Sequence, residues 1–282
     1  MQDHTFEKHV WAEIDLDALR SNFRVVRQQV GSLPLCAVVK ADSYGHGAVQ
    51  CARVLSEEGA AWFAVSCLAE AKQLRRSGIR QPILILGHVQ STYTAELIEY
   101  DLTAACYSTE QARSMSKAAV AAGGKVKVHL AADTGMGRIG FALRTDFQKA
   151  IDEMAAVCRL PGLAMTGMFQ HFAVADDTAP ENVAYTAEQY AYFIRAYQAL
   201  KAAGCEPPLL HCDNSAAVML HPDWPEGLPA DHCMARPGII LYGFDPSDEV
   251  RFGLFRPVMK LKTVVSMVKE MQPGQSTSYG RC

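Results

Sequence analysis

The chain has 282 residues, 49% hydrophobic and 20% charged, with a formal net charge of -3 and a pI near 6.3. That is enough apolar sequence to bury a large core as one big α/β domain or as a domain with a smaller partner. Basic residues are scattered, with no run longer than Arg75-Arg76, which argues against a nucleic-acid surface. The nine cysteines include no C-x-x-C pair and read as reduced thiols. The start of the chain is polar, and no run of 18 apolar residues occurs. The expectation is therefore a cytoplasmic protein without a signal peptide or membrane span.

In chain order, Val10 to Asp15 reads as a strand, and Asp15 or Asp17 caps a helix over 17–30. Eight strand candidates follow: 36–41, 62–66, 83–87, 102–106, 126–131, 164–169, 208–212 and a weak one near 232–236. Helical patterns over 46–58, 68–77, 92–99, 108–122, 145–157, 181–203 and 214–219 alternate with them. Eight alternations predict parallel pairing in a closed (β/α)8 barrel of the TIM type. Past Gly243 the turn-rich Phe244-Asp245-Pro246-Ser247-Asp248 and the alternating run 257–269 predict a second, β-type domain. The expected division is a barrel over 11–243, a β domain beginning at 244–282, and residues 1–15 joining that second domain. Two or three strands from 250 onward, with the N-terminal one, make a thin sheet with open edges, which suggests a truncated chain.

Chemistry in such a barrel belongs at the carboxyl ends of the strands. Lys40 closes the apolar run Leu35 to Val39 and opens a loop containing Gly45 and Gly47. Apolar walls disfavour an ammonium, so the neutral amine becomes available to attack a carbonyl. A lysine that snorkels from a strand end into water is the plainer reading of this run alone. Other strand ends offer Tyr44, Arg138, His171, His211, Asn214, Ser215 and Arg236, with Gly238 and Ile239 following. Taken singly, Asn214 or Ser215 reads as a helix cap, the histidines as bonded core residues, and Arg138 as one half of a surface ion pair. Their convergence on one face favours a shared site, and Ser215 with the amides near Gly238 and Ile239 suits a phosphate. Residues 135–140 match G-x-G-x-x-G by letter, but in the fifth repeat and with Arg138 in the turn, so a dinucleotide site is not expected. Histidine spacing gives no metal site.

The run Val38-Val39-Lys40-Ala41-Asp42-Ser43-Tyr44-Gly45-His46-Gly47 resembles the pyridoxal 5'-phosphate (PLP) attachment motif of alanine racemases. Trp11 to Asp15, Asp133 to Gly140, His171-Phe172-Ala173, Asn214-Ser215-Ala216 and Arg236-Pro237-Gly238-Ile239 recur in the family's order, so the resemblance spans Trp11 to Gly280. It implies a fold type III PLP enzyme with a barrel, a C-terminal β domain and a homodimer sharing two active sites, acting on alanine to supply D-alanine for the cell wall. By resemblance Lys40 attaches PLP. Tyr44, Ser215 and the amides of Gly238 and Ile239 hold its phosphate, and Arg138 holds its phenolic oxygen and the substrate. Arg236 faces the ring nitrogen, with His171, His211 and Asn214 completing the cofactor set. Tyr279 matches the family's second base, acting from the partner subunit opposite Lys40, since racemisation needs a proton-carrying group on each face of Cα.

Two departures stand out. Ala131 occupies the place where many family members carry a carbamylated lysine that orients the arginine matching Arg138, and Asp42-Ser43 replaces the usual Asn-Ala. The chain also stops where the family's β domain continues, which predicts impaired dimerisation and weak or no turnover. A serine racemase, a non-enzymatic PLP-binding barrel and a PLP decarboxylase are the alternatives, with Tyr279 favouring an enzyme.

Overall fold

A computed structural model describes residues 9–221 and 226–281. The chain divides into two compact units, one from Asp15 to Val258 and the other made of the residues up to Ile14 with those from Met259 onward.

The larger unit is built on parallel strands β2 (Cys36–Val38), β3 (Trp62–Val65), β4 (Ile83–Ile85), β5 (Thr103–Cys106), β6 (Val126–Asp133), β8 (Leu163–Phe169) and β9 (Leu210–His211), hydrogen-bonded in that order. β7 (Phe141–Ala142) pairs alongside β6. The eighth position is filled by single bridges, Leu210 with Cys233 and Leu35 with Ala235. Met234 N donates to Leu210 O at 3.0 Å on one side, and Cys36 N donates to Ala235 O at 2.8 Å on the other, so this segment joins the two edges. The expected (β/α)8 barrel is therefore present. Its eighth strand is short because Pro237 has no N–H to extend a ladder. Residues 207 and 208, both proline, confine β9 in the same way.

Helices follow the strands at Ala48–Glu57, Leu68–Arg76, Thr94–Glu99, Thr109–Ala121, Phe147–Cys158, Pro180–Ala202 and Ser215–Leu220. Each lies within two residues of its sequence expectation. The helix Leu16–Val30 starts on Asp15, whose side chain accepts from Ala18 N, and buries Ala18, Leu19, Asn22, Phe23 and Val26. That spacing keeps one stripe of the helix on the core. None of the helices among the described residues is long and apolar enough to cross a membrane. The eight described cysteines are all free thiols.

The boundary expected after Gly243 falls elsewhere. Asn22 is fully buried, and its Nδ2 donates to Leu241 O (3.0 Å) and Arg256 O (2.8 Å) while its Oδ1 accepts from Arg256 N (2.8 Å). Val258 N donates to Tyr242 O at 3.1 Å, and a Cβ on Gly243 would stand 2.2 Å from Arg256 O. Residues 244–258 thus turn back onto the barrel, because one buried amide side chain holds them there.

In the smaller unit, β1 (Val10–Ile14) pairs antiparallel with β10 (Met259–Thr263). The first strand thus pairs with residues that follow the larger unit; residues 1–8, which were also expected to join a second domain, lie outside the described residues. The alternating run beyond Thr263 forms no strand. Val265, Met267 and Val268 are 78%, 74% and 87% exposed, and a strand pattern needs a second layer to bury one face.

Candidate active site

β2 stops at Val38, and Lys40 opens a turn in which Ala41, Asp42, Ser43 and Tyr44 all have φ between 50° and 56°. Four successive non-glycine residues in the left-handed region cost roughly 1–2 kcal/mol each, so the surroundings must hold them. Glu70 does so from the next repeat: its Oε1 accepts from Ala41 N (2.9 Å), and its Oε2 accepts from Ser66 N and Oγ (2.7 and 2.9 Å). Asp42 Oδ1 accepts from Ala48 N at 2.7 Å and so binds the turn to the next helix. His46 Nδ1 lies 2.9 and 3.0 Å from the carbonyls of Ser43 and Tyr44, which makes it the protonated ring nitrogen. The strained turn aims Lys40 and Tyr44 into the same space, with Lys40 Nζ 5.7 Å from the Tyr44 ring centre.

That space is a cavity of about 560 Å³ at the carboxyl ends of the strands. Lys40, Tyr44, Arg138, His171, Asn214, Ser215, Arg236, Gly238 and Ile239 all line it, together with Phe169, Gln170 and Ala131. Burial, reinforced by the nearby Arg138, lowers the Lys40 pKa, with Glu70 opposing. Burial pushes Tyr44 up to about 12, so its hydroxyl is a donor at neutral pH. At this end Ser215 Oγ accepts from Gly238 N at 2.9 Å, and a Cβ on Gly238 would come within 2.8 Å of the Tyr44 hydroxyl. The close approach of hydroxyl to bare backbone makes a small polar cup that a side chain would fill. Asn214 caps the helix Ser215–Leu220, its Oδ1 accepting from Ala216 N (3.1 Å) and Ala217 N (3.0 Å). Both of its roles are therefore structural at this point, although it also borders the cavity.

Arg236 is 4% exposed, and both terminal nitrogens of its guanidinium are held by protein acceptors. Nη1 donates to His211 O (2.6 Å) and His211 Nδ1 (2.9 Å), and Nη2 donates to Gln170 O (2.7 Å) and Cys212 O (3.3 Å). Arginine only donates, so His211 Nδ1 must accept and its proton lies on Nε2, 2.8 Å from His129 Nδ1. His211 also stacks on Phe169, 5.1 Å between centres and 7° from parallel. It lies behind Arg236 and does not line the cavity, so it acts on a ligand only through that arginine. Burial first, then Arg236, pushes His211 well below the ordinary range and His129 down to about 3. His171 is also lowered to about 3, by burial and then by Arg236, Arg138 and Lys40. All three rings are neutral near pH 7.

Arg138 sits at the tip of a glycine loop. Asp133 Oδ1 accepts from Gly135 N (2.9 Å) and Gly137 N (3.0 Å), and Gly140 (φ 136°) passes so close that a Cβ would stand 2.7 Å from Asp133 N. The guanidinium is exposed and has no hydrogen bond or ion pair among the described residues. Ala131 beneath it is buried and offers no polar atom from its side chain. Tyr279 belongs to the smaller unit and is 99% exposed. Sequence reasoning passed over Phe169, Gln170 and His129. Phe169 and His129 carry no motif, and Gln170 was detectable only as the neighbour of His171. No cluster of metal-ligating side chains occurs among the described residues.

Fold and site together define a (β/α)8 barrel with a cavity at the carboxyl ends of its strands, lined by a partly desolvated lysine, a fixed arginine and a small polar cup. The family profile described as "Alanine racemase, N-terminal domain" matches residues 14–246. An alanine racemase of Desulforamulus reducens is 42% identical over 274 residues, which cover 96% of this chain and 71% of the relative. The structure of Clostridium difficile 630 alanine racemase in complex with cycloserine superimposes with a TM-score of 0.84 at 36% identity, covering 94% of this chain and 71% of that one. Alanine racemase from Streptomyces lavendulae gives a TM-score of 0.88 at 33% identity, covering 98% and 70%. The chain belongs to the alanine racemase family.

Proposed function

We propose that this chain is the PLP-binding part of a racemase that interconverts L- and D-alanine. The observation that carries this reading is one cavity lined by Lys40, Arg236 and the Tyr44–Ser215–Gly238 cup. A half-buried amine, a polar recess and an arginine that cannot deprotonate form a donor set suited to PLP, and the bare Gly238 backbone leaves room for the phosphate.

Bound there, PLP supplies an electron sink that weakens the Cα–H bond of an attached amino acid. Lys40 provides the attachment point and, when free, a nitrogen that takes or returns the Cα proton on one face; its lowered pKa makes the neutral amine more accessible. Tyr44, Ser215 and the amides of Gly238 and Ile239 hold the phosphate. Arg236, held at its terminal nitrogens by four acceptors, would offer its remaining Nε–H to the ring nitrogen and keep it unprotonated. Arg138, with no partner among the described residues, binds the phenolic oxygen and the substrate carboxylate. The partner subunit's Tyr279 carries the proton for the opposite face. This requires a homodimer, which the wide exposure of Tyr279 in one copy supports. A cytoplasmic location accords with the free cysteines.

The test is to titrate PLP into the chain, follow the visible absorbance of the bound coenzyme, and then measure conversion of L- to D-alanine. A band that Lys40→Ala abolishes, with conversion, supports the reading. No band in the wild-type chain rejects the cofactor assignment, and a band without conversion limits this chain to binding.

A further inference from the structure

Behind the cavity lies a buried polar cluster that the reaction itself does not use. Gln189 is fully buried in the middle of the helix Pro180–Ala202. Its Nε2 donates to Thr134 Oγ1 and to His171 O, both at 3.1 Å, and its Oε1 accepts from Ala173 N at 3.0 Å. Thr134 Oγ1 in turn donates to Gln170 Oε1 at 2.8 Å, and Gln170 O accepts from Arg236. Four residues earlier on the same helix face, the Tyr185 hydroxyl donates to Gly135 O at 2.8 Å. A Cβ on Gly135 would stand 2.5 Å from that hydroxyl, so the loop lies directly against the helix.

One helix face therefore grips two of the segments that carry cavity side chains: 134–138, which ends in Arg138, and 170–173, which holds His171. Among the described residues nothing pairs with the Arg138 guanidinium itself: Asp133 holds only the backbone of the loop, and Ala131 has no polar side-chain atom. We propose that Gln189, acting with Thr134, is the positioning residue for Arg138 and His171, and that it holds their loops from behind where a side chain at 131 does not. Because Gln189 uses both amide hydrogens and its oxygen, no apolar residue of the same shape reproduces the grip. The inference rests on the proposed ligand roles of Arg138 and His171, but the grip itself is independent of any ligand.

The experiment compares Gln189→Met, Thr134→Val and Thr134→Ser with the wild-type chain by amide hydrogen exchange and by binding of propionate, a carboxylate lacking the amine of alanine, to PLP-loaded protein. Gln189→Met and Thr134→Val should speed exchange across 134–140 and 171–173 by about tenfold or more, leaving β2 to β5 unchanged. Propionate should bind them about fivefold or more weakly at equal PLP loading. Thr134→Ser keeps the hydroxyl and should match the wild type. Unchanged exchange in Gln189→Met, or an equal rise throughout the barrel, overturns the proposal by reducing Gln189 to an ordinary core residue. Failure of the wild-type chain to take up PLP overturns the proposed function instead, while the exchange comparison still decides the grip.

Discussion

The two ends of the cavity are held in different ways. At the Tyr44 end, groups that face the cavity bond to one another directly: Ser215 accepts from Gly238 N, and the Tyr44 hydroxyl lies against bare glycine backbone. At the Arg138 end the cavity-lining guanidinium is exposed and has no partner among the described residues, and order comes from bonds made one layer back by Asp133, Thr134, Gly135 and Gln189. Mutation at the first end should disturb folding and binding together. At the second, binding should be separable from folding.

Lys40→Ala removes what both ends serve and has the largest expected effect: no coenzyme absorbance, and any conversion of alanine lowered by roughly 10²–10⁴-fold or more, measured by a coupled D-alanine assay. Acid should come next. His129, His171 and His211 have folded pKa values below the ordinary 6.5, so the unfolded chain binds more protons below that pH and stability falls as pH drops from about 6.5 toward 3. Each fully neutral ring contributes a slope of about 1.4 kcal/mol per pH unit. Burial raises Asp213 to about 6, which works the other way below that pH and offsets one of the three. Denaturant unfolding at stepped pH measures the slope, and His171→Gln should flatten it by about one histidine. A slope unchanged by that substitution would remove His171 from the buried, neutral set.

Gly238→Val sharpens the contrast directly. Its added carbons collide with the Tyr44 hydroxyl, so stability should drop by about 1–3 kcal/mol and PLP affinity should fall with it. Ser215→Ala should cost less, about 1 kcal/mol, because one buried amide loses its acceptor. Arg138→Ala should leave the melting temperature within a degree or so, as expected for an exposed side chain without partners, yet weaken carboxylate binding. A large thermal shift in Arg138→Ala would erase the distinction between the two ends.

Much of this site was legible in the sequence because its chemistry is carried by residues next to strand ends. Lys40, Arg138, His171, Ser215, Arg236 and Gly238 each lie in the segment that follows a strand, and parallel alternation places such positions on one face. The left-handed turn at 41–44 was not legible: only Asp42 of the four residues has any local tendency to positive φ, and the conformation depends on Glu70 from another repeat. His211 was placed among ligand-facing groups because strand register alone does not tell a cavity wall from the layer behind it. Gln189 was invisible for a related reason. It lies 55 residues from Thr134, and a glutamine in a helix gives no signal until tertiary packing removes water from it.

The sequence by itself determined the barrel, through hydrophobic periodicity and the count of alternating segments, and it determined which side chains crowd the carboxyl ends. Only the tertiary structure decided where the barrel unit ends, because Asn22 pulls 244–258 back by bonds that no local pattern encodes. Tertiary structure also decided the protonation of the histidines and the grip on the Arg138 loop. Both depend on burial and on partners far apart in the chain, and those exist only once the strands have closed.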